Sequence, residues 1–141
     1  MADFNVMPDL EAVARKKIAD GGYRAYSSIP NSPVWPIAVV QRAGGFAAVR
    51  GYLDAVRLQI DVWGGAKGDV TPTSKSVIQD MTQDIRIRLL RLEGTKVTTP
   101  VGAWISGVDE GEMVWLPDDN TGRDRYMLTV TVFGRSLLPG E

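Results

Sequence analysis

The stretch Val56-Arg-Leu-Gln-Ile-Asp-Val-Trp63 decides the fold of this chain, because an aliphatic side chain fills every second position. This period of two is the mark of a β-strand with one buried face. The aliphatic residues are Val56, Leu58, Ile60 and Val62. Trp63 belongs to the opposite face of the strand, so the pattern predicts that its side chain does not share the core beneath the other four.

A glycine-rich turn and a long helix are predicted to follow this strand. Thr71-Pro72 opens the helix, since proline fits the first helical position, where its missing N–H costs nothing, and Thr71 is expected to be the cap. The helix is expected to run to about Leu92 or Glu93 and to stop at Gly94, a residue type that favours the left-handed conformation after a helix.

The other elements are predicted from periodicity and from the positions of glycine and proline. The first part of the chain predicts an amphipathic helix over 8–19, a loop over 23–36, a strand over 37–42 ended by Gly44-Gly45, and an ambiguous run over 46–54. That run is either a loop or an extension of the central strand. The last part predicts a connector over 97–100, a hairpin with strands 104–108 and 112–116 around 109–111, a turn over 118–122, and a strand over 125–133 ended by Gly134.

Short turns between consecutive strands favour antiparallel pairing, with the helices on one face of the sheet. The fold class predicted is therefore α+β, with a small antiparallel sheet of about four to five strands and two helices, one of them long. A length of 141 residues suits a single domain that spans 1–141.

The composition excludes several kinds of site. The chain has no cysteine and no histidine, which removes disulfides, Cys/His zinc sites, cysteine nucleophiles and histidine bases. An enzyme would have to rely on carboxylates, lysine, tyrosine or serine, so we expect no catalytic activity, no cofactor and no metal. The 16 basic and 17 acidic residues nearly cancel, which argues against a partner bound chiefly by charge, such as naked DNA.

No targeting segment is predicted either. Met1–Asn5 carries Asp3 and no apolar run follows it, so a signal peptide is not expected. No apolar run is long enough to span a bilayer, and we expect no membrane partner.

Three motifs resemble functional sites but lack a feature that the site requires. Gly64-Gly-Ala-Lys-Gly68 lies between a strand and a helix, but Asp69 stands where a phosphate loop needs Lys-Ser or Lys-Thr after the last glycine. The acidic run from Asp118 to Asp124 lacks the glycine and the glutamate that a calcium loop needs at its sixth and twelfth positions. The acidic residues over 109–112 flank a glycine with no sign of the crowded apolar site that catalytic carboxylates need. We interpret all three as solvated turns.

The long helix carries apolar residues outside its main apolar arc. Ile87 and Leu90 are neighbours on another surface, flanked by Arg86 and Arg91. Such a pair suggests a covered patch, and the cover is either the first helix or another subunit. In the second case these four residues form a candidate subunit interface with an arginine rim, and Trp63 belongs to the complementary patch. If another subunit covers the patch, Leu90→Glu weakens assembly by about 2 kcal/mol. If the first helix covers it, Leu90→Glu destabilises the protomer.

The order of these elements resembles that of one family of virion proteins. After the short helix come Pro36-Ile-Ala-Val-Val40, a glycine pair, Arg57-Leu-Gln-Ile-Asp-Val-Trp63, and a long helix that ends with Leu89-Leu-Arg-Leu92. A predicted hairpin and the strand Arg125-Tyr-Met-Leu-Thr-Val-Thr-Val-Phe133 complete the chain. This pattern covers nearly the whole chain and resembles the tail terminator, or tail completion, family of long-tailed bacteriophages, especially the siphophages of actinobacteria.

The resemblance implies a structural role in the virion and no catalytic residue. Copies of the chain would form a hexameric ring at the head-proximal end of the tail tube, stop polymerisation of the tube and provide a surface for head–tail joining. The partners implied are further copies of the chain, the tail tube protein, and connector or neck proteins. Double-stranded DNA would pass through the channel without specific binding, and assembly would take place in the host cytoplasm.

Other functions are compatible with the same sequence. Related neck or head-closure proteins of the head–tail connector share part of the pattern. A small enzyme that uses carboxylates and lysine, or a small monomeric module that binds peptide or nucleic acid, belongs to a different class. The oligomeric state in solution is the property that best separates a ring protein from these two.

Overall fold

The structure is a computed structural model that describes residues 7–49 and 52–141, and within them it contains two helices and six strands. The helices are α1 (Leu10–Ala19) and α2 (Lys75–Leu90). The strands are β1 (Ala25–Tyr26), β2 (Ile37–Val49), β3 (Leu53–Trp63), β4 (Thr95–Val97), β5 (Ala103–Trp115) and β6 (Arg125–Ser136). They form one sheet in the order β1-β2-β3-β6-β5-β4.

The α+β class is confirmed, but the sheet is larger than predicted and mixed. It has six strands rather than four to five, and β1 pairs with β2 in parallel while every other described pair is antiparallel. The two extra strands, β1 and β4, contain two and three residues, which is too short to show a period of two. β1 lies inside the predicted loop over 23–36. β4 begins just before the predicted connector over 97–100 and ends at the first residue of that connector.

β3 lies at the centre of the core, as its sequence predicts. Its four alternating aliphatic residues are at most 1% exposed and share one apolar cluster with both helices. β6 lies beside it in register, with Leu58 opposite Val130 and Ile60 opposite Leu128. Because α1 and α2 pack into the same cluster, they cover the same face of the sheet. The opposite face, which we call the open face, carries no described helix.

Both helices begin at a side-chain cap. Asp9 Oδ1 accepts the Ala12 N–H at 3.0 Å, so α1 begins at Leu10. Ser74 Oγ accepts the Val77 N–H at 3.4 Å and caps α2. The prediction that Thr71 caps α2 is wrong, because the chain over 64–74 first closes a loop.

α2 also ends earlier than predicted. Its last residue is Leu90, and a turn continues the chain to Gly94. Gly94 has a φ of 73°, the left-handed conformation predicted for it, and its N–H donates to the Ile105 carbonyl at 2.8 Å. The glycine therefore lies where the sequence places it, but it ends the turn and not the helix.

β2 continues through the glycine pair that was predicted to end it. Gly44 and Gly45 have φ values of 133° and 136°, and a bulge separates Arg42 from Gly44 in the pairing with β3. A Cβ at Gly45 would lie 2.2 Å from the Ala55 carbonyl oxygen. The glycines therefore bend the strand and do not stop it. In the run over 46–54, only Leu53 and Asp54 extend the central strand β3, as one of the two alternatives predicts, whereas residues 46–49 continue β2 and Tyr52 lies in a turn. Residues 50 and 51 lie outside the described part.

The predicted hairpin over 104–116 is wrong, because β5 is one continuous strand paired along β6. Its register shifts between Glu110 and Met113. At this bulge the Glu112 N–H donates to Thr129 Oγ1 at 2.8 Å, and a Cβ at Gly111 would lie 2.1 Å from the same oxygen. The glycine that resembles a turn residue is needed for close contact with β6, and the acidic residues beside it are exposed positions of a strand.

β6 extends past Gly134 to Ser136, although Gly134 was predicted to end it. A Cβ at Gly134 would lie 2.9 Å from Leu10 Cδ2. The absence of a side chain here therefore lets α1 approach the sheet.

A hydrogen-bonded clip joins the turn after α1 to the middle of α2. Tyr23 Oη donates to Asp84 Oδ2 at 2.6 Å, and Arg88 Nε donates to the same oxygen at 3.0 Å. Burial, followed by the hydrogen bond to Asp84, raises the pKa of Tyr23 to about 12. The hydrogen bonds from Tyr23 and Arg88 lower the pKa of Asp84.

We expect Tyr23→Phe to lower the free energy of unfolding by about 1 kcal/mol near neutral pH, the usual net value of one hydrogen bond. The lowered pKa of Asp84 stabilises the fold above the unfolded carboxyl pKa, and this contribution is lost as the pH falls through the folded value. The raised pKa of Tyr23 stabilises the fold below a pH of about 10, and this contribution is lost as the pH rises through about 12. Urea unfolding at several pH values measures the effect. A Tyr23→Phe penalty that stays unchanged at pH values well below the carboxyl range contradicts the clip.

Candidate functional site

The open face of the sheet has a polar centre. Arg57 and Gln59 of β3 lie in register with Thr131 and Thr129 of β6. A shallow cleft of about 310 Å³ lies here, and its lining residues are Arg57, Gly111, Glu112, Thr129, Val130 and Thr131. The Thr129 hydroxyl is already engaged by the Glu112 N–H. The lining offers hydroxyls and one charge of each sign, and its chemistry suits contact with a polar surface.

At one end of the open face, a second apolar cluster surrounds Trp63. Trp35, Ile37 and Val39 are buried there, with Trp63 packed against them. The guanidinium of Arg125 lies 4.8 Å from the centroid of the Trp63 ring and donates to Asp61 Oδ1 through Nη2 at 2.9 Å. The prediction that Trp63 leaves the main core is confirmed. The protomer itself half covers the ring, so only its outer part can contact a partner.

The glycine-rich loop after β3 is tied to this end of the sheet. Asp69 accepts the Ala66 N–H at 2.7 Å and forms an ion pair with Arg123 at 3.0 Å. Arg123 in turn packs over the Trp35 ring, 4.3 Å from its centroid. Asp69, which stands where a phosphate loop needs lysine, therefore closes the loop.

The acidic run after β5 forms the predicted turn. The Gly122 N–H donates to the Asp118 carbonyl at 2.8 Å, and Asp118 forms a bridge with Arg123. Thr121 Oγ1 donates to Asp118 Oδ2 at 2.7 Å. Hydrogen bonds from the side chain of Thr121 and the backbone of Asn120 lower the pKa of Asp118. In the described part of the chain, no cluster of three or more metal-ligating side chains could hold a metal ion.

The residues of the candidate interface on α2 differ in how far the protomer buries them. Ile87 is 40% exposed, so α1 does not cover it, and Arg91 is exposed too. Leu90, by contrast, is partly buried and packs against the main core. Arg86 forms an ion pair with Glu110 of β5, and its Nε donates to Gln83 at 3.2 Å. Trp63 belongs to the open face and α2 to the covered face, so the two proposed patches lie on different sides of the protomer.

An apolar surface at the β2–β3 hairpin was missed by the sequence reasoning. Phe46 is 62% exposed, Val49 51% and Tyr52 43%. Phe46 lies opposite Ala55, which lies opposite Phe133, so the two phenylalanines flank an alanine in one row across three strands. The sequence contains a sign of this surface, since 46–54 has three large apolar residues besides Leu53. The sequence does not decide whether this run is loop or strand, so their exposure could not be predicted.

Among the described residues, no helix combines the length and the apolar character that crossing a membrane requires.

Comparison with known proteins shows a shared fold. No protein-family model matches the sequence, and no curated protein matches it. A chain of a native gene transfer agent (GTA) particle, solved as a virion, has a TM-score of 0.54 to this chain. The match covers 85% of this chain and 84% of that chain, with 13% sequence identity. At this identity the similarity establishes the arrangement of the helices and strands.

Proposed function

We propose that this chain is a structural protein of a phage-like virion. The observation that carries the proposal is the fold shared with a chain of the gene transfer agent virion, which extends over most of both chains. The surface supports it independently. Phe46, Val49 and Ile87 are large apolar side chains that the protomer leaves exposed at two separate places, as expected for a chain that is completed by contacts with other subunits.

The position we propose in the virion is that of the tail terminator. Copies of the chain form a hexameric ring at the head-proximal end of the tail tube, stop polymerisation of the tube protein and provide the surface for head–tail joining. The order of elements along nearly the whole chain supports this position. A ring needs a contact between two different patches, and the α2 surface with Arg86, Ile87, Leu90 and Arg91 and the open face with Trp63 are candidates for such patches.

Double-stranded DNA passes through the channel of this ring without specific binding. A formal net charge of −1 supports this part of the proposal, because each phosphate that a protein neutralises adds salt-dependent affinity and would hold the genome in place.

The alternative is another neck or head-closure protein of the head–tail connector. Electron microscopy of particles assembled without this protein separates the two positions, with particles rescued by the wild-type chain as the control. We expect tails of uncontrolled length. Tails of normal length that fail to join heads point to the neck instead. Normal particles in its absence contradict a structural role and favour a monomeric binding module.

We also propose that the protein is not an enzyme and binds no nucleotide. Saturating ATP is therefore expected to leave the melting temperature unchanged, whereas a ligand at a hundredfold excess over its Kd stabilises a protein by about 2.7 kcal/mol. The physical reason is that Asp69, which closes the loop after β3, would repel a phosphate there. Lys67→Ala is the matched variant. A saturable shift in the wild type that Lys67→Ala abolishes contradicts the proposal and supports a nucleotide site.

A further inference from the structure

At each of its two edges, the sheet has a long strand whose outer backbone groups are only partly paired with another strand. β1 covers Ala38 and Val39 of β2, and in the described part of the chain no strand lies outside β2 over 40–49. β4 covers Ala103 to Ile105 of β5. Beyond it, Glu93 accepts the Val108 N–H at 3.1 Å, and no described strand lies outside β5 over 109–115. Open edges offer backbone N–H and C=O groups to another chain.

The free edge of β2 lacks the residues that usually prevent pairing between molecules. The segment Ala43-Gly-Gly-Phe-Ala-Ala-Val49 contains no charged residue and no proline, although charges and prolines are the common protection of an edge. Every residue over 41–49 is exposed. Bulges twist the strand at two points, but Phe46 and Val49 stay accessible. An apolar, unprotected edge of this length indicates a partner that covers it.

Strand direction decides which edge of a second copy can reach it. β2 is antiparallel to β3, β3 to β6, and β6 to β5. β5 therefore runs opposite to β2. A second copy in the same orientation, placed beside β2, brings its own β5 antiparallel to β2. Such a contact joins two different edges, which is the kind of contact that closes a ring.

The two free edges also have complementary charge. The β2 edge over 41–49 contains Arg42 and no acidic residue, whereas the β5 edge over 109–115 contains Asp109, Glu110 and Glu112 and no basic residue. Arg42 is half-exposed and already lies 3.6 Å from Asp54, and its backbone N–H donates to Glu11 at 3.1 Å. Glu110 is already paired with Arg86, but Asp109 and Glu112 are exposed. Contact between two β5 edges places like charges together, and contact between unlike edges does not.

Register places residues 40–44 of β2 at the same height as residues 109–113 of β5, and Phe46 at the height of Gly107. Gly44 lies opposite Arg57, Arg57 opposite Thr131, and Thr131 opposite Asp109. We propose that the β2 edge of one copy pairs with the β5 edge of a second copy of this chain over residues 40–44 and 109–113, with Phe46 as the apolar anchor beside Gly107 at the end of the overlap. The inference rests on the proposed ring and names a contact that builds it. The sheet then continues across the boundary between subunits.

A directed crosslink tests this contact, because the natural chain contains no cysteine. Ala43→Cys, at the bulge residue next to Gly44, and Asp109→Cys change exposed residues at nearly the same height of the two edges. We expect a bis-maleimide reagent to join two chains in an equimolar mixture of the two proteins and to give little adduct with either protein alone. Equal adduct from each protein alone overturns the inference. So does a mixture that gives no adduct at the highest soluble concentration.

Phe46→Lys tests the anchor. Because the Phe46 side chain is largely exposed in the protomer, we expect unchanged melting of the monomer. We expect the concentration for half-assembly to rise at least about tenfold, measured by light scattering, as for loss of an interface hot spot. Val77→Lys on α2, at a side chain that is 47% exposed, is the matched control and is expected to assemble normally.

A Phe46→Lys protein that assembles like the wild type overturns this contact and leaves the virion role intact. The virion role fails in a different experiment, in which particles assembled without the protein are normal. The two failures are therefore distinguishable.

Discussion

Ile60→Asp is expected to unfold the protomer. Ile60 is fully buried in the centre of β3, with Val40 of β2 and Leu128 of β6 opposite it and both helices in the same cluster. A carboxylate at this position has no partner and loses its hydration, which costs several kcal/mol or more. The total stability of a domain is only about 5–15 kcal/mol, so a single substitution here removes most or all of it.

Circular dichroism and thermal melting measure this effect. Ile60→Val is the control, because it keeps the site apolar and is expected to cost about 0.5–1.5 kcal/mol. If Ile60→Asp keeps the wild-type spectrum and a normal melting curve, the assignment of the buried face of β3 is wrong. The two variants together separate the cost of a charge from the cost of a smaller side chain.

The strands that the sequence predicts well are those with one covered face. The aliphatic residues of β3 alternate from Val56 to Val62, and those of β6 alternate from Leu128 to Val132, because the two helices cover this face of the sheet and bury every second side chain. α1 and α2 are predictable for a similar reason, since one side of each faces the core.

The errors occur where a contact between distant residues decides the conformation. Gly111 looks like a turn residue, but its role is set by Thr129 on the neighbouring strand. Thr71 and Ser74 are both good caps by type, and the loop closed by the hydrogen bond from Gly65 to Thr73 selects Ser74. Local patterns hold no information on these partners, so element types were predicted better than their ends.

The candidate surfaces show the same limit. Side chains alternate between the two faces of a strand, so the position of Trp63 next to Val62 predicts that it lies on the open face. Its packing in the second apolar cluster confirms this prediction. Ile87 and Leu90 are equivalent by helical spacing, yet only Leu90 packs partly on the core. The exposure of Phe46 depends on β1 ending at Tyr26 and leaving the outer half of β2 uncovered. Sequence spacing cannot show where a neighbouring strand stops.

Gly45→Ala is the substitution expected to cost most after Ile60→Asp, and Gly44→Ala is its matched control. Both glycines have nearly the same φ, 136° and 133°. A residue with a side chain costs about 1–3 kcal/mol in such a sparsely populated conformation. The two positions differ in their surroundings. A Cβ at Gly45 would lie 2.2 Å from the Ala55 carbonyl oxygen and 3.1 Å from Val56 Cα, whereas a Cβ at Gly44 meets nothing within 4 Å.

We therefore expect Gly44→Ala to lower the free energy of unfolding by about 1–3 kcal/mol. Gly45→Ala adds the cost of forcing an atom against backbone, about 1–3 kcal/mol more, for a total of about 2–6 kcal/mol. Urea unfolding of the two variants measures the difference directly, since the conformational term is common to both. Equal losses would mean that β2 does not pass close to Ala55 and that the run after the glycine pair is a loop. A larger loss at Gly45 supports a strand that continues to Val49, and that strand is what the proposed contact between subunits requires.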